Sequence, residues 1–339
     1  MKAALFLEPG KPLVIEEIAD PEPGPDDVII KVSRCGVCGT DLHATSGHGR
    51  PLAPRAQLGH EFAGEVVARG SAVARVKVGD KVAGVPVIGC GRCDNCRTGL
   101  DILCRDFQSY GKALAEYVRL PERGAVLLPS TVSLADGALI EPLAVALRGV
   151  RLARPRPESR ALIIGPGPIG LGVYFWLRRM GVENIVLLAS SDRRRALAAG
   201  MGADHFIVEG EGAGEAIAAA LGGKPDLIFE AAGVQGVIAR AIDLIQPQGM
   251  IMALGFCTQP EAIVPAAALM KDVTIRFSVT YTREDYVLCA EALTEDGDRA
   301  RAMVTETVSL DDFPAAFEAF RIGRSGGGKL LCAPSGDGL

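Results

Sequence analysis

The sequence predicts an α/β protein of two domains, one rich in β-strands and one built on a doubly wound parallel sheet. Short apolar runs separated by turn signals fill residues 1 to about 130, a pattern that favours an all-β, partly barrel-like domain. From residue 161 onward strands alternate with helices, which is typical of a parallel sheet with helices on both faces. The length of 339 residues is too great for one ordinary core, so two domains are expected.

Composition and charge narrow the class of protein. Hydrophobic residues make up 48% and charged residues 23%, which indicates a globular protein rather than a disordered one. The net charge of −5 disfavours a nucleic-acid partner. The longest uncharged run, 161–177, is broken by Gly and Pro and does not predict a membrane span. No signal peptide is recognised at the N-terminus, so the nine cysteines predict a reducing, cytoplasmic location.

The elements follow in order along the chain. The first region has strands at 28–33 and 65–69, with an irregular lobe at 89–105, and a helix is predicted over 135–150. Next come the strands predicted at 161–164, 185–189, 226–230 and 250–254 and the helices at 171–180, 193–201 and 237–245. The chain closes with helices at 283–293 and 310–322 and a strand at 328–332. We therefore expect residues 1–150 and 282–339 to form the β-rich domain, and 151–281 the parallel-sheet domain.

Four cysteines in the lobe are the most specific motif. Cys90, Cys93, Cys96 and Cys104 are separated by two, two and seven residues. This spacing suits four thiolates around one tetrahedral zinc, and a closed four-sulfur site leaves no position for a substrate. The motif predicts a structural zinc site; the alternative is four reduced cysteines in a loop.

A second group of metal-binding residue types lies upstream. Cys38 and His60 come from separate segments and could supply part of a zinc site with one open position. A third protein ligand is needed, and both Glu61 and Glu141 are candidates. The combination predicts a catalytic zinc, although each residue alone would more often be structural.

A glycine-rich turn follows the strand at 161–164 and precedes a helix. It consists of Gly165, Pro166, Gly167, Pro168, Ile169 and Gly170. In this context the glycines allow a tight turn, close approach of a pyrophosphate and close helix–strand packing, and the helix N-terminus favours the phosphate charge. The turn predicts a dinucleotide site.

Together these motifs resemble the zinc-dependent medium-chain alcohol and polyol dehydrogenases over essentially the whole length. The matching stretches are 36–43, 59–61, the four-cysteine lobe, 140–146 and 165–170. The resemblance implies a GroES-like catalytic domain, a Rossmann domain and a cofactor in the cleft between them. Glu141 stands where the liver-type enzymes have a second Cys, and in this the chain resembles the sorbitol- or threonine-dehydrogenase-like branch.

The resemblance also implies roles for single residues. Cys38, His60 and Glu61 would lie close to the catalytic zinc as its ligands. Glu141 would bind the same zinc directly or through water. Thr40 would contact the substrate hydroxyl and pass its proton to His43, and Asp41 would orient the His60 imidazole. The alternative for His43 is a solvent-facing side chain. By the same resemblance the strand at 250–254 would pair across the axis of a homodimer, and a homotetramer is an alternative.

The cofactor preference follows from the end of the second Rossmann strand. NAD-binding members usually carry Asp there, whereas this chain has Ala189 followed by Ser190. Ser190, Arg193 and Arg194 could bind a 2′-phosphate, so NADP is favoured over NAD. Alternatively Asp192 holds the ribose and the arginines face solvent.

The expected activity is hydride transfer between NADP(H), or NAD(H), and a small alcohol or carbonyl, the alcohol being secondary or a polyol, with two zinc ions per chain. Two alternatives remain open. One is a zinc-independent enone or quinone reductase of the same superfamily, and the other is a nucleotide-sensing protein without turnover.

Overall fold

The computed structural model describes residues 1–48, 51–324 and 326–336. The chain divides into two compact units, one of Met1–Glu141 with Thr282–Leu339 and the other of Pro142–Tyr281. The predicted boundary at residue 150 lies inside the helix Ile140–Ala153. The boundary between the two compact units therefore lies near the start of this helix rather than at its end.

The strands of the described residues alternate with turns in the first third of the chain and with helices after it. In chain order they are β1 (Lys2–Phe6), β2 (Val14–Glu17), β3 (Asp27–Gly36), β4 (Ala56–Gln57), β5 (Glu61–Arg69), β6 (Lys81–Gly84), β7 (Val87–Ile88), β8 (Gln108–Ser109), β9 (Tyr117–Pro121), β10 (Ala125–Leu127), β11 (Ala161–Ile164), β12 (Ile185–Ala189), β13 (Phe206–Val208), β14 (Leu227–Glu230), β15 (Met250–Ala253), β16 (Thr274–Phe277), β17 (Val304–Ser309) and β18 (Lys329–Ala333).

The α-helices that begin before residue 140 have at most seven residues, whereas the later ones range from five to nineteen residues. They are α1 (Gly39–Thr45), α2 (Asp94–Arg97), α3 (Leu134–Gly137), α4 (Ile140–Ala153), α5 (Pro168–Arg179), α6 (Arg195–Gly200), α7 (Ala213–Leu221), α8 (Val237–Leu244), α9 (Pro265–Leu269), α10 (Arg283–Arg301) and α11 (Phe313–Arg321).

The first unit is built around a seven-stranded sheet in which the order is β10-β6-β5-β3-β18-β17 and β9 also pairs with β3. Strand β18, from the end of the chain, pairs antiparallel with β3, from its beginning. Large apolar side chains such as Phe6, Phe62 and Phe313 fill the core against this sheet. Both chain ends are therefore needed to complete the sheet that carries the first candidate site.

The second unit contains a six-stranded parallel sheet in the order β13-β12-β11-β14-β15-β16. The chain reverses its direction of travel across the sheet between β11 and β14, which is the switch point where doubly wound sheets bind ligands. Strands β11 and β14 are buried throughout, as expected for a sheet covered on both faces. The predicted fold class is confirmed.

Several elements differ from the prediction. The helix predicted over 135–150 is two helices, α3 and α4, because residues 138–139 interrupt it. The prediction missed β13 and β16, which have only three and four residues. The prediction that the strand at 250–254 pairs across a dimer axis is wrong, because β15 already has β14 on one side and β16 on the other.

Among the described residues, none of the helices combines the length and the apolar character that a bilayer crossing needs.

Candidate metal centres and cofactor site

The first candidate metal centre lies where three strands of the first sheet meet. Gly36 ends β3 and pairs with Glu61, the first residue of β5, while Leu331 of β18 pairs with Gly36 from the other side. Cys38 follows β3 directly and is the N-cap of α1, and His60 precedes β5. Strand pairing thus brings together residues that are more than twenty positions apart.

Sulfur, nitrogen and oxygen donors converge at this point. One ligand atom from each of Cys38, His60 and Glu61 lies within 4.8 Å of the others. A thiolate, an imidazole and a carboxylate are the donors that catalytic zinc sites use. The three residues therefore fit a zinc ion, and their sequence-based assignment as ligands is compatible with this geometry.

Asp41 contacts both the Cys38 segment and the His60 ring. Its Oδ2 accepts a hydrogen bond of 3.0 Å from the Cys38 backbone N–H, and its Oδ1 lies 3.4 Å from His60 Nδ1. Only 4% of Asp41 is exposed. Because Nδ1 faces this carboxylate, Nε2 is the ring nitrogen available to a metal. Burial lowers the pKa of His60, but the charges of Asp41 and Cys38 more than offset this and raise it well above the ordinary value.

Glu61 has a buried cationic partner that the sequence analysis missed. Lys329 Nζ, at the start of β18, lies 2.7 Å from Glu61 Oε1 and 2.6 Å from Oε2, and also donates to the Val37 carbonyl at 3.0 Å. The side chains of Lys329 and Glu61 are 2% and 1% exposed. A Cβ at Gly36 would lie 2.2 Å from Glu61 Oε2, so only glycine leaves room for this carboxylate. Lys329 therefore compensates a charge that would otherwise be buried alone.

Glu141 does not belong to the group formed by Cys38, His60 and Glu61, whose ligand atoms lie within 4.8 Å of one another. It lies in the first turn of α4 and is 8% exposed. Burial lowers the pKa of Lys329, but the charges of Glu61, Cys38 and Glu141 raise it overall. Glu141 therefore acts electrostatically on this centre, and whether it also binds the metal remains a prediction.

Thr40 and His43 both lie on α1 and both are exposed. Residues three positions apart share one face of a helix, so the two side chains point to the same side. Within the described part of the chain no hydrogen bond joins them. The predicted proton relay is compatible with their placement and remains a prediction.

The second candidate centre is the four-cysteine lobe after β7. One sulfur from each of Cys90, Cys93, Cys96 and Cys104 lies within 4.8 Å of the others. The Cys93 and Cys96 sulfurs are 3.5 Å apart, and Cys104 Sγ accepts the backbone N–H groups of Cys90 and Asp106. The short helix α2 begins at the Cys93 cap and carries Cys96 inward. The lobe thus directs four sulfurs to one point.

The charges of these sulfurs also fit a bound cation. Backbone N–H groups of Arg92 and Cys93 lower the pKa of the Cys90 thiol to about 6. Burial raises the pKa of the Cys96 thiol to about 12. Neighbouring thiolates repel one another, so all four can be anionic together only around a cation, which zinc supplies.

The glycine-rich turn connects β11 to α5 in the second unit. Gly165 has φ +92°, a left-handed conformation that glycine adopts without strain. Gly167 is the N-cap of α5, and a Cβ there would meet no atom within 4 Å, so the space in front of the helix N-terminus is open. This open N-terminus fits a pyrophosphate.

The segment after β12 contains the hydroxyl and guanidinium groups that were predicted to bind a 2′-phosphate. Ser190 follows the strand and is exposed, and Arg193 and Arg194 lie in a 3₁₀ turn. Burial and the charge of Arg193 lower the pKa of Arg194. Asp192 lies 2.5 Å from Arg195 Nη2, so its carboxylate is engaged by a neighbouring arginine. This disfavours the alternative in which Asp192 holds a ribose.

Both parts of the chain match domains of known protein families. Residues 24–130 match the alcohol dehydrogenase GroES-like domain, and residues 168–295 match the zinc-binding dehydrogenase domain. The chain is also similar to L-threonine 3-dehydrogenase of Saccharopolyspora erythraea. The two are 33% identical over 337 residues, which cover 96% of this chain and 97% of that protein.

Solved structures agree with this assignment. The chain is similar to a short-chain alcohol dehydrogenase, rspB, of E. coli CFT073 complexed with NADH, with a TM-score of 0.90, 28% identity and coverage of 98% and 99%. It is also similar to a protein of Sinorhizobium meliloti 1021 described as a zinc-binding dehydrogenase and bound to NADP, with a TM-score of 0.88, 32% identity and coverage of 98% and 99%.

Proposed function

This chain belongs to the zinc-dependent medium-chain dehydrogenase family, and we propose from this premise that it interconverts a small secondary alcohol or polyol and the corresponding carbonyl compound. It is an oxidoreductase that uses zinc and a nicotinamide dinucleotide. The observation that supports the proposal best is the convergence of Cys38, His60 and Glu61 within 4.8 Å. Threonine, named as substrate of one relative, carries a secondary hydroxyl at its third carbon, and this supports a secondary alcohol.

Each residue of the proposed site has a distinct task. When bound, the zinc supplies a Lewis acid for the substrate oxygen, and the nicotinamide accepts or donates the hydride. Cys38, His60 and Glu61 would hold the metal, with Glu141 as a further candidate ligand. Asp41 fixes the His60 ring through Nδ1 and the Cys38 segment through a backbone N–H.

The proton of the substrate hydroxyl would leave through α1. Thr40 Oγ1 would accept it while the hydroxyl releases its own proton to His43, and His43 would release a proton to solvent; the two side chains share the exposed face of this helix. His43 is exposed, which suits the outer end of a relay. This path remains a proposal drawn from the family resemblance and the placement of the two residues.

We further propose a preference for NADP(H) over NAD(H). The last residue of β12 is Ala189, so no carboxylate at the strand end repels a 2′-phosphate. Ser190, Arg193 and Arg194 follow it, and guanidinium groups bind phosphate through paired, charge-assisted hydrogen bonds. Asp192 is engaged by Arg195.

A homodimer through β16 is the assembly that we propose, with a homotetramer formed from two such dimers as the alternative. Strand β16 is one of the two outer strands of its sheet, so one row of its backbone groups has no neighbouring strand among the described residues. Phe277 on this strand is 74% exposed, and the nearby Leu269 and Met270 are 76% and 80% exposed. A second copy that pairs with β16 would cover these side chains.

All nine cysteines are free, which supports a reducing location such as the cytoplasm.

The central test is Cys38→Ser in the zinc-loaded protein. We expect wild type to hold two zinc ions and to oxidise members of a panel of secondary alcohols faster with NADP⁺ than with NAD⁺. Cys38→Ser should lose one zinc and its turnover while the Kd for NADPH stays within about twofold, because Cys38 lies outside the Rossmann unit. Cys257→Ser, which changes an exposed cysteine outside both clusters, is the matched control.

The outcomes separate the alternatives. Full activity of Cys38→Ser would refute the assignment of the catalytic centre. One zinc per chain in wild type together with enone or quinone reduction would favour the zinc-independent reductase. Tight NADPH binding without turnover on any alcohol or carbonyl would favour the nucleotide-sensing protein.

A further inference from the structure

Glu230 is a buried carboxylate at the switch point of the parallel sheet. It is the last residue of β14 and pairs in register with Ile164, the residue before the glycine-rich turn. Only 3% of it is exposed. In the described part of the chain neither of its oxygens has a cationic partner within ion-pair distance, in contrast to Glu61. A buried charge without a cation needs strong hydrogen-bond donors.

Those donors come from the loop that follows β14. Glu230 Oε1 accepts hydrogen bonds from the backbone N–H groups of Ala232, at 2.8 Å, and Gly233, at 2.7 Å. The Glu230 carbonyl oxygen also accepts from Leu254, at 2.8 Å, and Gly255, at 3.0 Å, in the segment after β15. One residue therefore ties together the segments that leave two neighbouring strands.

Close backbone contacts extend this junction to the glycine-rich turn. A Cβ at Gly165 would lie 2.7 Å from the backbone N and Cα of Ala232. A Cβ at Gly255 would lie 2.3 Å from Gly233 N and 2.5 Å from Glu230 Oε2. Three segments at the carboxyl edge of the sheet are thus in direct contact, and any shift of the 231–236 loop would displace the turn.

Two exposed apolar side chains project from the segments that Glu230 ties together. Val234 is 58% exposed and Phe256 is 62% exposed. They lie beside the switch point, where a doubly wound sheet binds its ligand. Exposed apolar groups next to a binding site are expected where a ligand covers them.

We propose that Glu230 is a positioning residue for the dinucleotide. Its carboxylate fixes the 231–236 loop against the glycine-rich turn and the 254–256 segment, so that the binding surface is formed before the cofactor arrives. This inference rests on the proposed function, since it presupposes that NADP(H) or NAD(H) binds at this edge. Glu230 does not itself need to contact the cofactor.

The experiment compares acceptor and non-acceptor side chains at this position. Kd values for NADPH and NADH are measured by fluorescence titration of the zinc-loaded protein for wild type, Glu230→Gln, Glu230→Asp and Glu230→Leu. Zinc content and Tm are recorded for each. Glu183→Leu is the matched control, because Glu183 is exposed and precedes β12 at the opposite edge of the sheet.

Glu230→Leu leaves two backbone N–H groups without an acceptor, so both Kd values should rise at least about tenfold, with unchanged zinc content. Glu230→Gln retains an acceptor oxygen and should stay within about threefold of wild type, as should Glu183→Leu. If Glu230→Leu does not fold, Glu230→Asp decides, because its shorter side chain withdraws the oxygen; a rise of at least about threefold is expected.

The proposal would be overturned if Glu230→Leu had a lowered Tm but wild-type Kd values, because Glu230 would then have only a structural role. If Glu230→Leu is insoluble, the same result in Glu230→Asp would overturn the proposal. A wild-type protein that binds neither NADPH nor NADH would instead refute the proposed function.

Discussion

Lys329 is a charged residue in an otherwise apolar strand, and its side chain is 2% exposed. The sequence predicts a closing strand at 328–332, which is confirmed by β18, but no feature of the sequence assigns a role to Lys329. Its partner, Glu61, is 268 positions away, and only the pairing of β18 with β3 brings the two together. A long-range charge pair leaves no local signal in the sequence, so this part of the site could not be predicted.

Replacing Lys329 tests the importance of that pair. Lys329→Met leaves the Glu61 carboxylate buried without a cation, which should lower the free energy of unfolding by about 3–5 kcal/mol. The measurement is urea-induced unfolding of wild type and variants after zinc has been removed with a chelator, because a zinc ion bound by Glu61 would itself supply a cation. Arg240→Met, which breaks the half-exposed pair with Glu209, is the control and should cost at most about 1 kcal/mol.

The double variant Glu61→Gln with Lys329→Met separates charge from packing. It should regain most of the lost stability, because no unpaired charge remains buried. A Lys329→Met protein that unfolds at the same urea concentration as Arg240→Met would contradict this account.

At the scale of elements, local motifs were the most predictable features. The four cysteines and the glycine-rich turn each lie within one short segment, so their spacing alone indicates their geometry. The strands β13 and β16 escaped prediction because β13 has only three residues and β16, with the sequence TIRF, lacks the continuous apolar run of the buried four-residue strand β11. The split between α3 and α4 was missed because the break itself, Ala138 and Leu139, is apolar and contains no Gly or Pro that would signal a turn.

The four-cysteine lobe should lose its order without its metal. Residues 89–105 contain only α2 and a 3₁₀ turn, and the paired two-residue strands β7 and β8 flank them, so little other regular structure holds the lobe. Cys96→Ser should reduce the zinc content from two ions to one and increase amide hydrogen exchange across 89–105, because metal binding supplies the folding energy of such sites. Cys289→Ser, in α10, is the control and should keep both ions.

Exchange in Cys96→Ser that stays as slow as in wild type would show that the lobe is held by its own packing rather than by zinc.

At the scale of the whole molecule, the sequence predicted the family, the two kinds of sheet and the contribution of both chain ends to the β-rich part. It did not identify the free edge of the parallel sheet. Strand β15 has the stronger apolar run, but a strand with neighbours on both sides cannot pair with another molecule. The edge strand that carries an exposed large apolar side chain, Phe277, is β16, whose sequence TIRF has no comparable run.

Phe277→Asp tests assembly through this edge. A charge in a covered apolar interface should shift the protein from dimer to monomer, and light scattering after size-exclusion chromatography measures the mass. Val78→Asp changes an apolar residue of the other unit that is 56% exposed, and it should leave the dimer intact. A Phe277→Asp protein with an unchanged dimer mass would exclude β16 from the interface.

The pairing of β18 with β3 also dictates when during translation the first metal centre can mature. Residues 142–281 emerge from the ribosome as one uninterrupted stretch, whereas β3 must wait for β18, a partner strand made long after it. At about 5–20 residues per second, the 268 positions from Glu61 to Lys329 take about 13–54 s to synthesise. Throughout that interval the nascent chain carries the Glu61 carboxylate without its ammonium partner, so the buried pair can form only near the end of synthesis.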